Sequence, residues 1–427
     1  MAKNLNWLER LNTYQNKTLF PLLPEQDQQK IKNLFAEYLF TFQEFRQLAE
    51  ISRDLEMWGE GGLQLWLAKN PINPEEGIGR NAKERFWNEL QRRYHSLKSQ
   101  PKSYRGFHGD VPDKVTQAKL IDQKVNKKIF GWCPVASEKT VCCNLRTIDA
   151  VETCAFGCSY CTIQTFYSDR VVFDADLKEK LKTIEIDPGR KIHITTGQSS
   201  DSLVWGNRNG MLDALMEFAR QHPNVLLEFK TKSANIGYFL DHDIPPNVQC
   251  TWSLNPQIIV ENEEHYTASL EKRLQAAERV AQKGLKIGFH FHPMIYYDDW
   301  QEEYPAIARS IMQRFDPQSV LFISMGSVTM IKPVIKQIRR RGFKTKILQM
   351  ELVPDPHGKW TYPDDIKIEM FRTMHQAFAP WHDTVFFYLC MEKASIWENS
   401  LGYVYPNNDL FEQALLDSAF AKIENKS

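Results

Sequence analysis

The sequence is poor in cysteine and has no excess of either charge. Eight cysteines in 427 residues are too few for a disulfide scaffold. Lysine plus arginine and aspartate plus glutamate number 53 each, so the whole chain carries no net field that would favour nucleic acid or an acidic surface. Any such partner would have to contact a local patch of charge.

The chain also lacks the segments that direct a protein to or across a membrane. Its start, MAKNLNWLERLN, has neither the basic region nor the apolar core of a secretory signal. No run of about 18 apolar residues occurs, and no repeat of fixed period is visible. These absences predict a cytoplasmic protein without a membrane partner.

The composition is that of a folded protein, with 42% apolar and 25% charged residues. Residues 1–105 mix periodic apolar and charged positions without strand-like alternation, which predicts an N-terminal helical domain. Residues 106–144 are interpreted as a linker that leads into the next domain. We find no chemical motif in the helical region, and its aromatic residues are interpreted as core.

From about Leu145, short β-branched or aromatic runs alternate with amphipathic helices, which favours parallel strands joined by crossovers. The sequence therefore predicts an α/β fold with a partial (β/α)6 barrel over residues 145–330. A C-terminal α/β extension over residues 331–427 is expected to close it. The predicted strands are Arg146–Glu152, Lys191–Thr196, Val225–Thr231, Val248–Ser253, Lys286–His292 and Val320–Met325, with Thr345–Glu351 and Thr384–Met391 in the extension.

Three cysteines, Cys154, Cys158 and Cys161, lie within eight positions of the stretch ETCAFGCSYCTIQTFY, Glu152–Tyr167. A chance C-x3-C-x2-C is expected about 0.003 times in such a chain, from (8/427)³ × 427, so the spacing calls for a chemical cause. Three thiolates can ligate three irons of a cubane cluster and leave the fourth iron open to a chelating substrate. The cluster would follow the first predicted strand, where the reactive groups of parallel barrels gather.

Two other interpretations of these cysteines stay open. A structural zinc site needs four ligands, and the fourth could be a histidine or Cys133, Cys142 or Cys143. A thioredoxin-like pair of Cys158 and Cys161 would not need Cys154 and belongs at a helix start in a different fold.

The cysteine motif on the loop after the first strand resembles that of the radical S-adenosylmethionine (radical SAM) superfamily. Further stretches make the chain similar to the spore photoproduct lyase family, as a divergent member. They are GCSYCTIQT, TTGQSSDS, LEFKTKSANI, TWSLNPQIIV, SLEKRLQAAERVAQKGLKIGFHFHPMIYYDDW, PHGKWTYPDDI and YLCMEKASIWENSLG, in order between about Thr147 and Tyr403.

The resemblance implies a partial barrel of the radical SAM type, with a [4Fe–4S] cluster on Cys154, Cys158 and Cys161. It also implies S-adenosylmethionine, whose reductive cleavage gives a 5′-deoxyadenosyl radical that abstracts hydrogen from a substrate. An electron donor such as flavodoxin or ferredoxin and a DNA photoproduct as substrate follow from the same resemblance. The family positions that contact S-adenosylmethionine match Tyr160, on the adenine, and Ser200, Lys232 and Ser253. Asp201 belongs to the same Ser-Ser-Asp turn as Ser200 and is counted with these cofactor-binding residues.

The sequence departs from the family at two positions of the hydrogen-return path. A cysteine that gives hydrogen to the product radical is replaced by Gln198, whose N–H bond is too strong for that step, and a tyrosine is replaced by Thr162. Three interpretations follow: repair of a photoproduct by direct return or through a substitute thiol such as Cys390, chemistry on a different substrate, or a non-catalytic metal-cluster or zinc-containing module that binds nucleic acid. The second is favoured narrowly over the first.

Two further features have a functional and a plain interpretation. His290 and His292, in GFHFHP, fall on one side of a buried strand, and they either line the substrate site or are satisfied interior histidines. The basic run KQIRRRGFKTK, Lys336–Lys346, fits either a DNA backbone or a solvated helix end.

Overall fold

The computed structural model describes residues 2–75, 78–110, 119–133, 139–166 and 169–424. Its helices are α1 Ala2–Gln15, α2 Glu25–Tyr38, α3 Phe42–Met57, α4 Gly62–Lys69, α5 Ala82–Ser99, α6 Leu177–Lys182, α7 Met211–Gln221, α8 Gly237–Asp241, α9 Gln257–Glu263, α10 Leu270–Gln282, α11 Trp300–Arg314, α12 Lys332–Arg341, α13 Asp364–Ala377, α14 Ala394–Leu401 and α15 Asn408–Glu424. Its strands are β1 Lys119–Gln123, β2 Phe130–Trp132, β3 Arg146–Ile148, β4 Val151–Glu152, β5 Gly157–Cys158, β6 Arg170–Asp174, β7 Ile192–Thr196, β8 Val225–Thr231, β9 Val248–Ser253, β10 Glu264–His265, β11 Lys286–Met294, β12 Val320–Ser327, β13 Thr329–Met330, β14 Val353–Pro354, β15 Trp360–Thr361 and β16 Phe386–Leu389.

The chain forms two compact units, and neither is continuous in sequence. The first unit comprises Met1–Pro112, Ser159–Thr165 and Met330–Val353, and the second comprises Asp113–Cys158, Phe166–Thr329 and Pro354–Ser427. The four sequence segments predicted as domains stay a prediction.

The first unit is helical, as the sequence of residues 1–105 predicts. Thr41 begins α3 with a capping box: its hydroxyl accepts from the Glu44 N–H, and the Glu44 carboxylate accepts from the Thr41 N–H. Leu39, with φ of 52°, ends α2 in the left-handed conformation. Residues 25–57 therefore form two helices rather than one, because a helix end and a new cap fall between residues 38 and 42.

A buried ion pair joins α12 to α3 within the first unit. The guanidinium of Arg339 donates to both carboxylate oxygens of Asp54, at 2.8 and 2.7 Å, and the Tyr94 hydroxyl donates to the same carboxylate at 2.6 Å. Asp54 is fully buried. Part of the basic run is thus committed to the interior of this unit, whereas Lys336 and Arg340 are exposed.

The second unit is built on an eight-stranded sheet in the order β16-β12-β11-β9-β8-β7-β3-β2. Every neighbouring pair from β3 to β16 is parallel, and β2 joins the edge antiparallel to β3. The prediction of parallel strands joined by helices is confirmed, and two strands, Val225–Thr231 and Val248–Ser253, have their predicted bounds. Thr384–Met391 contains β16, which extends the sheet as expected.

The helices of this unit form where the sequence has apolar positions at helical spacing. Leu212, Leu215, Met216 and Ala219 of α7 are all buried. Ser269 caps α10 by accepting a hydrogen bond from the Lys272 N–H, and Gly284, with φ of +84°, follows the end of this helix.

Two strand predictions need correction. Thr345–Glu351 is not a strand: the Thr345 N–H donates to the Met57 carbonyl in the first unit, and residues 345–350 are buried there outside any sheet. The predicted strand Arg146–Glu152 is divided into β3 and β4, because Asp149 turns its N–H to the Ile129 carbonyl and its carboxylate to Ser199.

The Arg339–Asp54 pair predicts a large stability effect. Arg339→Ala leaves the buried Asp54 carboxylate without its cation, and we expect the free energy of unfolding to fall by about 3–5 kcal/mol. Arg340→Ala, at an exposed position on the same helix, should change it by less than about 0.5 kcal/mol. Urea denaturation followed by tryptophan fluorescence measures both, and equal losses in the two variants would contradict the role assigned to the pair.

Candidate functional site

Cys154 and Cys158 lie in the second unit directly after β4 and are both 8% exposed. Thr153, before the first cysteine, has φ of 74°, which is uncommon for a β-branched residue and turns the chain out of the strand. The Phe156 N–H donates to the Cys154 sulfur at 3.5 Å. Cys158 is fixed by β5, which pairs antiparallel with β10, opposite Glu264.

Tyr160 and Cys161 belong to the first unit through the segment Ser159–Thr165. The Tyr160 ring is buried and Cys161 is half-buried. Gln164, which is 3% exposed, donates from Nε2 to the carbonyls of Cys161 and Ser159, at 2.8 and 3.0 Å. The last tyrosine of the motif, Tyr167, lies outside the described residues.

The donor set of this stretch fits an iron–sulfur cluster. Thiolates are the ligands of such clusters, and hydrogen bonds to their sulfurs, as from Phe156 to Cys154, are part of how proteins hold and tune them. Within the described ranges, no group of three or more His, Cys, Asp or Glu side chains is arranged around a common point that could hold a metal ion.

Asp201 ties the loop after β7 to the end of β8. Its carboxylate accepts from the Thr231 hydroxyl at 2.8 Å and from the Lys232 N–H at 2.7 Å, and also from the N–H groups of Leu203 and Val204. Burial raises the pKa of the Asp201 carboxyl, although these donors favour its charged form. Asp201 thus acts through the backbone it fixes, next to Ser200, whose hydroxyl accepts from Trp205 Nε1.

Two buried charged residues bring Lys232 and Ser253 together. Lys232 Nζ lies 3.8 Å from Glu264 Oε1, and Arg273 Nη2 lies 2.6 Å from Glu264 Oε2. Arg273 also donates from Nη1 to the Ser253 carbonyl at 2.8 Å. Because Glu264 pairs with Cys158 in the β5–β10 ladder, these contacts connect the predicted S-adenosylmethionine residues to one cluster cysteine.

Glu264 and Arg273 were not identified from the sequence. Both lie inside helix-rich stretches where charged residues are usually solvated, and no spacing indicates that these two are fully buried. The usable signal is the position of Glu264 between two of the family-like stretches and of Arg273 inside the second of them.

His290 is part of a hydrogen-bonded network around Glu228 in the interior of the sheet. Its Nε2 lies 2.5 Å from Glu228 Oε1, and its Nδ1 lies 2.5 Å from the Ser324 hydroxyl. His193 Nε2 approaches Glu228 Oε2 at 2.9 Å, and the Thr251 hydroxyl donates to Oε1 at 2.5 Å. These contacts support the interpretation of His290 as a satisfied interior histidine.

The charge state of this network follows from its burial. Burial lowers the pKa of His290 to about 4, so its imidazole is neutral at pH 7. Burial would raise the pKa of the Glu228 carboxyl, but the two imidazoles, His290 foremost, hold that pKa well below its usual range. At pH 7 the network therefore holds the Glu228 carboxylate and a neutral His290, which donates to Glu228 and accepts from Ser324.

His292 lies apart from these hydrogen bonds, although its ring centroid is 5.5 Å from that of His290. Its Nε2 is buried without a hydrogen-bond partner, and burial lowers the pKa of the imidazole well below its usual value. Gly326 makes room for this ring, because a Cβ at that position would lie 2.8 Å from His292 Nε2. A buried imidazole with an unused nitrogen is available to a ligand.

Four cysteines outside the triad gather in the second unit. The Cys142 thiol and burial raise the pKa of Cys143, and Cys390 and Cys133 add to this effect. The backbone accounts for the grouping: Cys133 donates its N–H to the Leu145 carbonyl, and Val141 donates to the Glu392 carbonyl. The sequence suggested these cysteines singly, as a fourth zinc ligand or a substitute thiol, but not as one group.

Cys390 is the member of this group that follows β16. Its N–H donates to the Met325 carbonyl at 2.9 Å, and its side chain is half-buried. Burial raises the pKa of the Cys390 thiol, and the nearby Lys230 ammonium acts in the opposite direction. Because their pKa values are raised, the thiols of Cys143 and Cys390 are protonated at pH 7, which is the form that can give up a hydrogen atom.

Gln198 is half-buried in the loop after β7. Gly197 before it has φ of +87°, and a Cβ there would lie 2.4 Å from the Ser202 hydroxyl, so the turn requires glycine. The turn at Gly197 thus constrains the backbone that carries Gln198, the residue expected to replace a family cysteine.

Comparison with known proteins places this arrangement in one family. The family model described as "Spore photoproduct lyase" matches residues 146–377, more than half of the chain. The spore photoproduct lyase of Clostridium acetobutylicum is 27% identical over 178 residues, which cover 40% of this chain and 53% of the relative. That of a Geobacillus species is 24% identical over 241 residues, 53% of this chain and 70% of the relative. The match to the first relative thus spans about half of its length.

Solved structures of spore photoproduct lyase share the fold. A mutant with bound AdoMet and dinucleoside spore photoproduct aligns over 63% of this chain and 82% of its own, with a TM-score of 0.54 and 19% identity. A second mutant, with dinucleoside spore photoproduct, aligns over 71% and 94%, with a TM-score of 0.55 and 17% identity. The predicted partial barrel of the radical SAM type is therefore confirmed.

The low pKa of His290 predicts that this network weakens in acid. The unfolded imidazole binds a proton near pH 6.5, but the folded one only near pH 4, so the contribution to stability is present above 6.5 and is lost toward 4. Between pH 6.5 and 4 the wild-type protein should therefore lose about 3 kcal/mol of unfolding free energy through His290, at about 1.36 kcal/mol per pKa unit. His290→Gln should lack this part of the loss. Denaturation curves at pH 7, 5.5 and 4 test this, with exposed His357→Gln as the control. An unchanged pH dependence in His290→Gln would show that other groups cause the acid sensitivity.

Proposed function

The chain belongs to the spore photoproduct lyase family, and on that premise we propose that it is a radical S-adenosylmethionine enzyme that abstracts hydrogen from its substrate. The observation that carries the proposal is the triad Cys154, Cys158 and Cys161 within the matched residues, with a backbone N–H directed at the first sulfur. Three thiols leave one iron of a [4Fe–4S] cluster for S-adenosylmethionine.

When bound, the cluster supplies the electron that cleaves S-adenosylmethionine and so starts the radical chemistry. In this proposal Asp201 fixes the loop around Ser200 and the backbone of Lys232, and thereby orients groups that contact S-adenosylmethionine. Glu264 and Arg273 hold the Lys232 ammonium and the Ser253 carbonyl near Cys158. Tyr160 is proposed to pack on the adenine.

The substrate is proposed from the family. The solved relatives named above hold dinucleoside spore photoproduct, which makes a DNA photoproduct the first candidate. Gln198 and Thr162 occupy the positions where the family is expected to have its hydrogen-return residues. This difference supports a second candidate, a substrate other than a photoproduct. If the substrate is a photoproduct, Cys390 is the proposed hydrogen donor, because its thiol is half-buried, protonated and grouped with three more thiols.

The proposed chemistry implies partners and a compartment. Reduction of the cluster requires an electron donor such as flavodoxin or ferredoxin, and repair requires DNA. A cytoplasmic location fits, because thiols and a low-potential cluster persist in a reducing compartment. Across the part of the chain that the structure describes, we find no helix with the length and apolarity needed to span a bilayer.

The cluster proposal predicts iron content and activity. Anaerobic reconstitution should give about four irons per chain, and reduction with S-adenosylmethionine present should give 5′-deoxyadenosine. Cys154→Ala, Cys158→Ala and Cys161→Ala should each abolish the product, because a ligand is lost. Cys250→Ala is the control, since this thiol is buried on β9 and lies outside the triad.

The opposite results are equally specific. One bound zinc with no cleavage of S-adenosylmethionine would contradict the enzyme and favour the zinc-containing module. DNA affinity that survives replacement of all three triad cysteines, without any 5′-deoxyadenosine, would favour a nucleic-acid-binding module.

The substrate proposal is tested with the dinucleoside spore photoproduct. We expect the wild-type chain to form repaired dithymidine. Cys390→Ala should repair at least about 10-fold less, while its formation of 5′-deoxyadenosine stays within about twofold of wild type. This pattern is expected when only the later transfer of a hydrogen atom to the product radical is lost. Chromatography of both products measures the ratio, with Cys250→Ala as the matched control. Formation of 5′-deoxyadenosine without any dithymidine in the wild-type chain points to a different substrate.

A further inference from the structure

A continuous set of hydrogen bonds runs from the end of α12 to the turn that carries Cys161. Arg341 Nη1 donates to Gln164 Oε1 at 3.0 Å, and Gln164 Nε2 donates to the carbonyls of Cys161 and Ser159 at 2.8 and 3.0 Å. All four residues belong to the first unit. Arg341 and Gln164 are 177 positions apart in sequence, so this link is purely tertiary.

The hydrogen bonds fix the orientation of the Gln164 amide. An amide has two N–H donors on nitrogen and an acceptor on oxygen, and here the guanidinium takes the oxygen while the two carbonyls take the two N–H groups. Reversing the amide would place its NH2 group against the guanidinium and its oxygen against the two carbonyls. Arg341 therefore determines that Gln164 presents donors to the residues on either side of Tyr160.

Arg341 is itself held in place by the packing of α12. Arg339, two residues earlier, is bonded to the buried Asp54, and the Arg53 guanidinium donates from Nε to the Arg339 carbonyl. Gly342, with φ of +65°, ends the helix, and a Cβ there would lie 2.5 Å from the Arg53 guanidinium carbon. The Arg341 guanidinium also lies 4.8 Å from the centre of the Phe343 ring. The donor to Gln164 is thus attached to a rigid helix end.

The three cysteines are not held in the same way. Cys154 accepts a hydrogen bond from Phe156, and Cys158 is paired in the β5–β10 ladder. Cys161 follows β5 and precedes the short 3-10 turn Thr162–Phe166, so it is held by neither strand. The Cys161 carbonyl instead accepts a 2.8 Å hydrogen bond from a side chain that is 3% exposed.

We propose that Gln164 and Arg341 are positioning residues for the cluster, which fix the backbone of Cys161 so that its thiol is kept in place as the third iron ligand. The inference rests on the proposed function, because it assumes a cluster on the cysteine triad. It also assigns a role to the helical unit and to part of its basic run. Replacing a residue that orients a metal ligand typically lowers the metal affinity by about 10- to 100-fold.

The main test measures iron release rather than activity. Reconstituted full-length protein is mixed anaerobically with an iron chelator, and the first-order rate of cluster loss is followed by absorbance. Gln164→Ala and Arg341→Ala should release iron at least about 10-fold faster than wild type. Gln164→Glu should do the same although it keeps an acceptor for Arg341, because a carboxylate cannot donate to the two carbonyls.

Two conservative or neighbouring variants control for general damage to the fold. Arg341→Lys keeps one donor and the charge, so its release rate should lie between those of wild type and Arg341→Ala. Arg340→Ala removes an exposed arginine from the same helix and should release iron at the wild-type rate. Equal rates in wild type, Gln164→Glu and Arg341→Ala would overturn the proposal.

A second measurement uses the protein without its cluster. Gln164→Ala should raise the alkylation rate of Cys161 relative to Cys158, measured by mass spectrometry, because the Cys161 and Ser159 carbonyls lose their hydrogen bonds from Gln164 whereas Cys158 keeps its pairing in the β5–β10 ladder. An unchanged ratio would also overturn the proposal. Wild-type chain that takes up no cluster contradicts both this inference and the proposed function, whereas a stable cluster with unchanged release rates contradicts this inference alone. A shift in the electron paramagnetic resonance signal of the reduced cluster in Arg341→Lys would support it, since a merely structural role leaves that signal unchanged.

Discussion

The buried carboxylate of Glu228 is the constraint around which the sheet of the second unit is organised. An ionised group at 1% exposure is stable only if its oxygens are hydrogen-bonded. Its partners come from three other strands: His193 on β7, Thr251 on β9 and His290 on β11, and Ser324 on β12 then satisfies His290. Five neighbouring strands must therefore keep their register for one charge to be tolerated. The same register sets where their carboxyl ends, and the loops with the site residues, come to lie.

The sequence was informative about the strands because burial of parallel strands leaves a simple pattern. Val225–Thr231 and Val248–Ser253 are short, apolar and bounded by turn residues, and both have their predicted bounds. Thr345–Glu351 shows the limit of this reasoning, since a buried irregular segment can have the same run of apolar and β-branched residues as a strand. What separates the two cases is whether a neighbouring strand accepts the backbone hydrogen bonds, and a local pattern holds no information on that.

The site divides in the same way into local and tertiary parts. The cysteine triad is encoded in eight consecutive positions, so spacing alone indicated it. The Glu264–Arg273 pair and the Gln164–Arg341 link could not be predicted, because each depends on which charged side chains lose their water, and that is decided by packing. Cys133, Cys142, Cys143 and Cys390 show both aspects, since their identities are visible in the sequence while their grouping depends on backbone bonds between β2, β3 and the chain after β16.

This division explains how the radical-generating and hydrogen-returning parts of such a protein can change independently. The triad lies in one continuous stretch, and the loss of any one of its cysteines would remove an iron ligand of the proposed cluster. A hydrogen donor needs only a thiol that reaches the interior near the carboxyl ends of the strands, and several strands end there. In the loop after β7, Gly197 and Asp201 fix the backbone around Gln198. The Gln198 side chain can therefore be replaced without moving the residues that are proposed to contact S-adenosylmethionine. Cys390 directly follows β16, and β16 is parallel to β7 in the same sheet. The loss of a thiol at one strand end therefore does not by itself imply the loss of hydrogen transfer.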